Sequence, residues 1–180
     1  MVDDMLRIDA SAVLEPLTDE HVNAYAALVR ENGERLARWF AWAEHGGDVA
    51  DVRAYVAAVE TQRARRERNE TYAIIVDGAF AGVIGLHDED VRHDTVEFGY
   101  WIGARFGGRG VMTRAVSALG ARAFARGLHR LEIIAAVDNA PSRAVAERAG
   151  FAFEGIMRGR VRTPRGHEDA ALYARLATDP

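Results

Sequence analysis

The first third of the chain places its apolar residues mainly at helical spacing. Between residues 19 and 31 they recur every three or four positions, which is typical of a helix with one buried face. Gly33 follows as a C-terminal stop, and Asp48 is a suitable N-cap for a longer helix. The pattern predicts a strand at 5–17 and helices at 19–31, 34–43 and 48–68.

From residue 71 onward, short apolar runs alternate with turn residues. Asp77-Gly78 is a hairpin signal, and the nearly all-apolar run 131–137 is typical of a strand covered on both faces. Strands are predicted at 71–76, 80–86, 95–102, 131–137, 151–161 and 167–176, with helices at 111–126 and 139–149. The order of elements predicts an α+β fold with a mixed central sheet of about seven strands flanked by helices.

The composition of the chain excludes several classes of protein and of functional site. A length of 180 residues predicts one domain spanning 1–180, and a net charge of −4 argues against a nucleic-acid binder. The chain has no cysteine, which excludes thiolate metal sites and thiol nucleophiles. All 23 basic residues are arginine, so a P-loop lysine is excluded as well. Neither a membrane-length apolar run nor a basic leader is present, and we expect a cytoplasmic protein without membrane contact.

A glycine-rich turn is the strongest local signal. Five of the twelve residues from Gly99 to Gly110 are glycine, and the turn leads directly into the helix predicted from Val111. Glycines allow close approach of a ligand, and the free N–H groups of a helix N-terminus attract anions. The turn predicts a phosphate cradle with Arg109 and Arg114 at its mouth; a purely structural flexible turn is the alternative.

Several segments occur together in a recognisable order. They are Glu97-Phe98-Gly99-Tyr100-Trp101-Ile102, Gly108-Arg109-Gly110-Val111-Met112-Thr113, Asn139-Ala140-Pro141-Ser142, Gly150-Phe151 and Glu154-Gly155. This set resembles the GNAT acetyltransferases, in particular the RimJ/RimL type that acetylates protein N-terminal amines. The resemblance covers almost the whole chain, although Gly107 and Met112 depart from the general Q/R-x-x-G-x-G/A pattern of the family.

The resemblance implies an acetyl-CoA site and no metal. It places the pantetheine arm along an opened strand pair, like an added strand, and the pyrophosphate on the glycine-rich turn. The implied binding residues are Trp101, Ile102, Gly107, Gly108, Arg109, Gly110, Val111, Met112, Thr113, Asn139 and Ser142. It also implies a primary amine acceptor, most simply a protein N-terminus, and a possible homodimer. A GNAT enzyme acting on a small-molecule amine and a non-catalytic acetyl-CoA-binding module are the alternatives.

Three residues are candidates for the chemistry. Glu97 corresponds to a family glutamate that faces the substrate pocket and is the candidate base; an ion-paired carboxylate is the alternative. Ser142 corresponds to a serine near the thioester sulfur, and Tyr173 to a general-acid tyrosine that varies in this branch. Freeing an α-amine at pH 7 costs about 1 kcal/mol against roughly 4.6 kcal/mol for a lysine amine, so a weak base or a water chain suffices for N-termini.

Two further groups of residues have a structural and a functional interpretation. Trp39, Phe40 and Trp42 either line the acceptor pocket or anchor a short helix. The polar stretch 87–94, which contains His87 and His93, is rich enough in ligands for a metal ion, but a solvated hairpin turn is the favoured interpretation.

Overall fold

The computed structural model describes residues 5–65 and 70–179. Within them the helices are α1 (Val22–Glu31), α2 (Gly33–Ala37), α3 (Val49–Ala64), α4 (Val111–Ala125) and α5 (Ala140–Arg148). The strands are β1 (Leu6–Arg7), β2 (Ala12–Pro16), β3 (Glu70–Val76), β4 (Ala79–Asp90), β5 (Thr95–Ile102), β6 (Arg130–Ala136), β7 (Ala152–Thr163) and β8 (Gly166–Leu176). None of these helices combines the length and the apolar character needed to cross a bilayer.

All eight strands form one sheet in the order β1-β2-β3-β4-β5-β6-β8-β7. Every pairing is antiparallel except that of β5 with β6, which is parallel. These two strands pair only from Thr95–Glu97 to Arg130–Glu132, so the rest of β5 has no register with β6. The predicted α+β class, the mixed sheet and its opening at this strand pair are confirmed, with one strand more than expected.

The two faces of the sheet are covered by different helices. Phe98 of β5 faces α4, because a Cβ built at Gly120 of that helix would lie 3.9 Å from its ring and 3.3 Å from Leu131 of β6. Trp101 of β5 lies on the opposite face, where its ring centroid is 5.2 Å from that of Tyr25 in α1. Side chains alternate between faces along a strand, so β5 contributes to both cores.

Several predicted boundaries of strands and helices are wrong. The strand predicted at 5–17 is two short strands, since Asp9 accepts a hydrogen bond from the Ser11 N–H at 2.7 Å and turns the chain. The helix predicted at 34–43 ends at Ala37, and an extended Phe40 precedes a separate 3-10 turn at Ala41–His45. The helix predicted to reach 68 ends at Ala64, and residues 66–69 lie outside the described residues.

Candidate active site

The glycine-rich turn forms an open cradle at the start of α4. Gly108 and Gly110 both have a φ of +71°, a left-handed conformation that favours glycine. Gly110 is the N-cap and gives no side-chain cap, so the N–H groups of Val111, Met112 and Thr113 have no partner within the helix. A Cβ at Gly108 would meet nothing within 4 Å. The cradle therefore presents unpaired N–H donors and the positive end of the helix dipole to an open space.

Two arginines stand at the mouth of the cradle, and each is held by an acidic side chain. Arg114 Nε donates to Asp9 at 2.7 Å, and Arg109 lies 3.6 Å from Asp77. Arg114 also donates to the Arg109 carbonyl at 3.1 Å. These contacts fix two guanidinium groups beside the free N–H groups, as a diphosphate requires.

A buried hydroxyl lies in the same first turn of α4. Thr113 Oγ1 is shielded from solvent and has no hydrogen-bond partner among residues 5–65 and 70–179. Such an orphaned polar atom is costly to bury. Together with the unpaired N–H groups, it fits a site that is completed by a phosphate-bearing ligand.

The open edge of β5 begins where the pairing with β6 ends. The Gly103 N–H donates to the Ala81 carbonyl at 2.8 Å, so odd-numbered residues of β5 direct their main chain toward β4. The Arg130 N–H donates to the Asp94 carbonyl at 3.1 Å, which places even-numbered residues on the β6 side. Tyr100 and Ile102 thus direct their N–H groups to the opening, whereas the main chain of Trp101 pairs with β4. The Ile102 carbonyl accepts a hydrogen bond from Arg35.

Helix α5 places Ser142 against this opening. The Asn139 side chain caps the helix by accepting the Ser142 N–H at 3.3 Å, and Pro141 occupies the first turn without cost. The Ser142 hydroxyl lies 3.0 Å from the Tyr100 hydroxyl. Burial raises the pKa of Tyr100 to about 12, so the phenol stays neutral and can donate. Sequence reasoning missed Tyr100, whose only signal was its alternation with Gly99 and Trp101.

Tyr173 lies on β8 and is fully buried beneath α5. Its hydroxyl accepts from Arg143 Nε at 3.0 Å and donates to Glu147 at 2.9 Å. The ring packs at 5.5 Å from that of Phe153 on β7. The contacts bring Tyr173 together with α5 rather than with Glu97, and they favour a structural role for this predicted acid.

A cavity of about 610 Å³ occupies the face of the sheet covered by α1 and α3. Phe40 and Trp42, two of the three predicted acceptor aromatics, line it together with Trp101. Trp42 stacks on Phe40 at 5.4 Å and remains 46% exposed at the rim. Trp39 does not line the cavity and instead lies under the Arg38 guanidinium at 4.6 Å.

Glu97 lies on the same face of β5, with its side chain 17% exposed. Burial raises the pKa of the Glu97 carboxyl, and His87 in its protonated form and the Arg160 guanidinium oppose that rise only in part. Arg160 of β7 lies 3.6 Å from its carboxylate. His87 of β4 is the cross-strand partner of Glu97 and lines the cavity. Ligand atoms of His87, Asp88 and Glu97 lie within 4.8 Å of one another, and the absence of a metal there stays a prediction.

The predicted hairpin turn begins later than expected. Strand β4 continues to Asp90, because Asp90 pairs with Thr95 after an irregular stretch that follows His87. His93 and Asp90 form a solvent-exposed pair in the turn, as expected for a solvated hairpin. His87, in contrast, belongs to the wall of the cavity.

Comparison with known proteins places the chain in a family. Residues 12–152 match the profile of the acetyltransferase (GNAT) domain. YdaF of Bacillus subtilis (strain 168), provisionally named as a ribosomal N-acetyltransferase, is 36% identical over 91% of this chain and 88% of its own length. The ribosomal-protein-serine acetyltransferase of Escherichia coli (strain K12) is 27% identical over 95% of this chain and 96% of its own.

Solved structures agree. A RimL ribosomal L7/L12 alpha-N-protein acetyltransferase in complex with coenzyme A matches with a TM-score of 0.90 and 26% identity, covering 96% of this chain and 98% of that one. The cradle and the open edge of β5 fit the two parts of the coenzyme, its diphosphate and its extended pantetheine arm. The sequence match, the fold and the geometry of the site agree. This chain belongs to the GNAT acetyltransferase family, whose acyl donor is acetyl-CoA.

Proposed function

We propose that the protein acetylates the N-terminal α-amine of a protein, and of a ribosomal protein in particular. The supporting observation is a cavity of about 610 Å³ on one face of β5 whose wall includes His87, the cross-strand partner of the largely buried Glu97. The names of the relatives, which are ribosomal-protein acetyltransferases, support the choice of acceptor. Ribosomal proteins are made in the cytoplasm, where we place the activity.

The residues assigned to the donor follow from the site geometry. When bound, acetyl-CoA supplies the acetyl thioester. The N–H groups of Gly108, Gly110, Val111, Met112 and Thr113 would hold the diphosphate, with Gly107 leaving room and Arg109 adding charge. The main chain of Tyr100 and Ile102 would pair with the pantetheine amides, and Asn139 orders the N-terminus of α5 beside them.

The residues assigned to the amine lie on the cavity side. Attack requires a neutral amine, and Glu97 provides a carboxylate that draws the proton from it, directly or through a neighbouring group. Because burial raises the pKa of Glu97, it is a stronger base than an exposed carboxylate. Phe40 and Trp42 would contact the first residue of the acceptor.

The residues assigned to the leaving group lie at the start of α5. Ser142 would donate a proton to the departing thiolate, and Tyr100 would orient the Ser142 hydroxyl and replace its proton. Tyr173 ranks below Ser142, because its one hydroxyl hydrogen is already donated to Glu147 while its oxygen accepts from Arg143.

We also propose the domain organisation and the oligomeric state of the protein. That all eight strands belong to one sheet supports one domain over 1–180. A homodimer rests on the family resemblance, and sizing chromatography with light scattering would detect it.

The test of the acceptor is an acetylation assay with matched peptides. The protein is incubated with acetyl-CoA and either a panel of small amines or peptides that carry a free α-amine, a blocked α-amine with a free lysine, or neither, and thiol release is followed together with product mass. We expect turnover only with the free α-amine. Turnover with small amines alone, or binding of acetyl-CoA without turnover, would replace this proposal by one of its two alternatives.

The test of the cradle is a pair of glycine variants. Gly108→Glu places a carboxylate where the diphosphate would sit, and we expect at least about 100-fold weaker acetyl-CoA binding by calorimetry. Gly127→Glu is the matched control, since Gly127 also has a positive φ and open space, but lies at the opposite end of α4. Equal affinities for the two variants would exclude the cradle.

A further inference from the structure

We propose that His87, oriented by Asp88, is the general base that takes the proton from the ammonium group of the acceptor. The carboxylate of Glu97 stabilises the positive charge that the imidazole ring then carries. This inference rests on the proposed function and assigns its base. The family resemblance pointed to Glu97 or a water chain as the base, and the polar sequence around His87 predicted a solvated turn.

The tautomer of His87 follows from its partner. Nδ1 lies 3.0 Å from Asp88 Oδ2. An ionised carboxylate only accepts hydrogen bonds, so Nδ1 carries the hydrogen and the lone pair of the neutral ring is on Nε2. No hydrogen-bond partner of Nε2 is found among the residues that the structure describes. The ring is thus prepared to accept a proton at Nε2.

The position of Nε2 is set by Gly99. A Cβ built on Gly99 would lie 2.6 Å from Nε2 and 2.9 Å from Cδ2 of His87. The imidazole therefore lies directly across the bare main chain of β5, between the cross-strand partner Glu97 and the cavity residue Trp101. Any other residue at position 99 would occupy the place of the ring.

Asp88 reaches His87 because the chain leaves the strand conformation at that point. Neighbouring residues of a regular strand point to opposite faces. Asp88 has a φ of +50°, which an aspartate tolerates better than most residues, and its side chain returns to the side of His87. The irregular pairing of β4 with β5 after His87 thus brings the Asp88 carboxylate to Nδ1 of His87.

The proton moves from the ammonium group of the acceptor to the imidazole of His87. The N–H bond of the ammonium group breaks, an Nε2–H bond forms, and the resulting imidazolium lies between Asp88 and Glu97. These two carboxylates favour the charged ring, whereas Arg160 opposes it. The other titratable groups that line the cavity are Tyr25, Asp51, Tyr55 and Tyr100. The neutral amine is then free to attack the thioester.

His87→Ala is the direct test, and His93→Ala is its matched control. His93 also pairs through Nδ1 with an aspartate, Asp90, at 2.8 Å, but it lies in the exposed turn and outside the cavity wall. We expect His87→Ala to lower kcat with an N-terminal peptide about 100-fold, as removal of a general base does. The KM for acetyl-CoA should not change, and added imidazole should restore activity in proportion to its concentration. His93→Ala should match wild type.

Gly99→Ala tests the same assignment without removing the imidazole. The new methyl group would displace the ring, so kcat should fall while acetyl-CoA binding and the thermal unfolding midpoint are retained. Gly33→Ala, which meets nothing within 4 Å, is the control for a small-residue substitution and should match wild type. Full activity in either His87→Ala or Gly99→Ala would overturn the proposal, as would a loss of activity that imidazole does not restore. Absence of turnover in the wild-type protein would instead contradict the proposed function.

Discussion

At the scale of single residues, the surroundings of Glu97 disfavour the ionised form of its carboxyl group. Its side chain is 17% exposed, and burial raises its pKa even though Arg160 is 3.6 Å away. The folded state therefore keeps the Glu97 proton to a higher pH than the unfolded chain does. Between the unfolded pKa and the raised folded pKa, ionisation of this carboxyl lowers stability, and that cost persists at higher pH. Such a cost is expected of a group kept for chemistry.

Glu97→Gln should accordingly stabilise the fold at neutral pH while lowering activity. The glutamine lacks the charge that burial penalises, so the unfolding midpoint should exceed that of wild type at pH 7, and the difference should disappear below the unfolded pKa. Thermal unfolding measured across this pH range tests the sign. A midpoint below that of wild type at neutral pH would mean that the Arg160 pair outweighs the burial of Glu97.

Glu154→Gln is a control with the opposite sign. Two hydrogen bonds from Arg130, the longer at 2.9 Å, lower the pKa of Glu154. Its carboxylate therefore stabilises the fold above the unfolded pKa, and this contribution is lost as the pH falls through the lowered folded pKa. Glu154→Gln should reduce the midpoint at pH 7 and have no effect in acid.

At the scale of elements, α5 joins the two parts of the opened sheet through two tyrosine hydroxyls. Tyr100 of β5 reaches the Ser142 hydroxyl at 3.0 Å. Tyr173 of β8 reaches Arg143 at 3.0 Å and Glu147 at 2.9 Å. The helix thus holds Ser142 beside the opening while it is anchored on the other side by Tyr173.

Tyr173→Phe distinguishes an anchor from an acid. Loss of a buried hydrogen bond to charged partners should cost about 1–3 kcal/mol in urea unfolding, with kcat unchanged. Tyr100→Phe is the matched comparison, because it removes the other hydroxyl that contacts α5, and it should lower kcat by releasing Ser142. A large fall in kcat for Tyr173→Phe at unchanged stability would support the predicted general-acid role of Tyr173.

The sequence predicted most elements because their signals are local. Asp48 accepts the Ala50 N–H at 2.7 Å as the predicted N-cap, and the Asp77-Gly78 turn joins β3 and β4 as expected. The helix predicted at 34–43 ends early. Leu36 is buried as the helical pattern predicts, but Phe40 lines the cavity and has an extended backbone, which ends the helix before it. Local periodicity contains no information about such a long-range contact.

The site was predictable in part. The glycines of the cradle are contiguous in sequence, and the resemblance supplied Glu97, Ser142 and the opened strands. His87 and Tyr100 were missed because their neighbours come from other strands and from α5, through pairings that only the register of the sheet defines. A polar run such as 87–90 is indistinguishable from a turn until the partner strand is known.

At the scale of the whole molecule, the sheet is interrupted where β5 and β6 diverge, and bound acetyl-CoA would fill this gap. β5 and β6 share only three residue pairs before they diverge. The part of the sheet that continues through β4 and the part that continues through β8 are therefore held together weakly at this point, with α5 bridging them. An extended ligand that pairs with β5 would act as a strand in the gap.

Hydrogen exchange provides a residue-by-residue test of that role. Acetyl-CoA should slow exchange of the Tyr100 and Ile102 amides, because even-numbered residues of β5 face the opening. The Gly99 and Trp101 amides already pair with β4 and should exchange slowly with or without the ligand, so they are internal controls. The cradle amides of Val111, Met112 and Thr113 should gain protection in the same experiment, since they have no partner in the helix. Protection of the cradle alone would show that the diphosphate binds without an added strand, and protection that does not alternate along β5 would indicate a general tightening of the fold rather than pairing with the pantetheine arm.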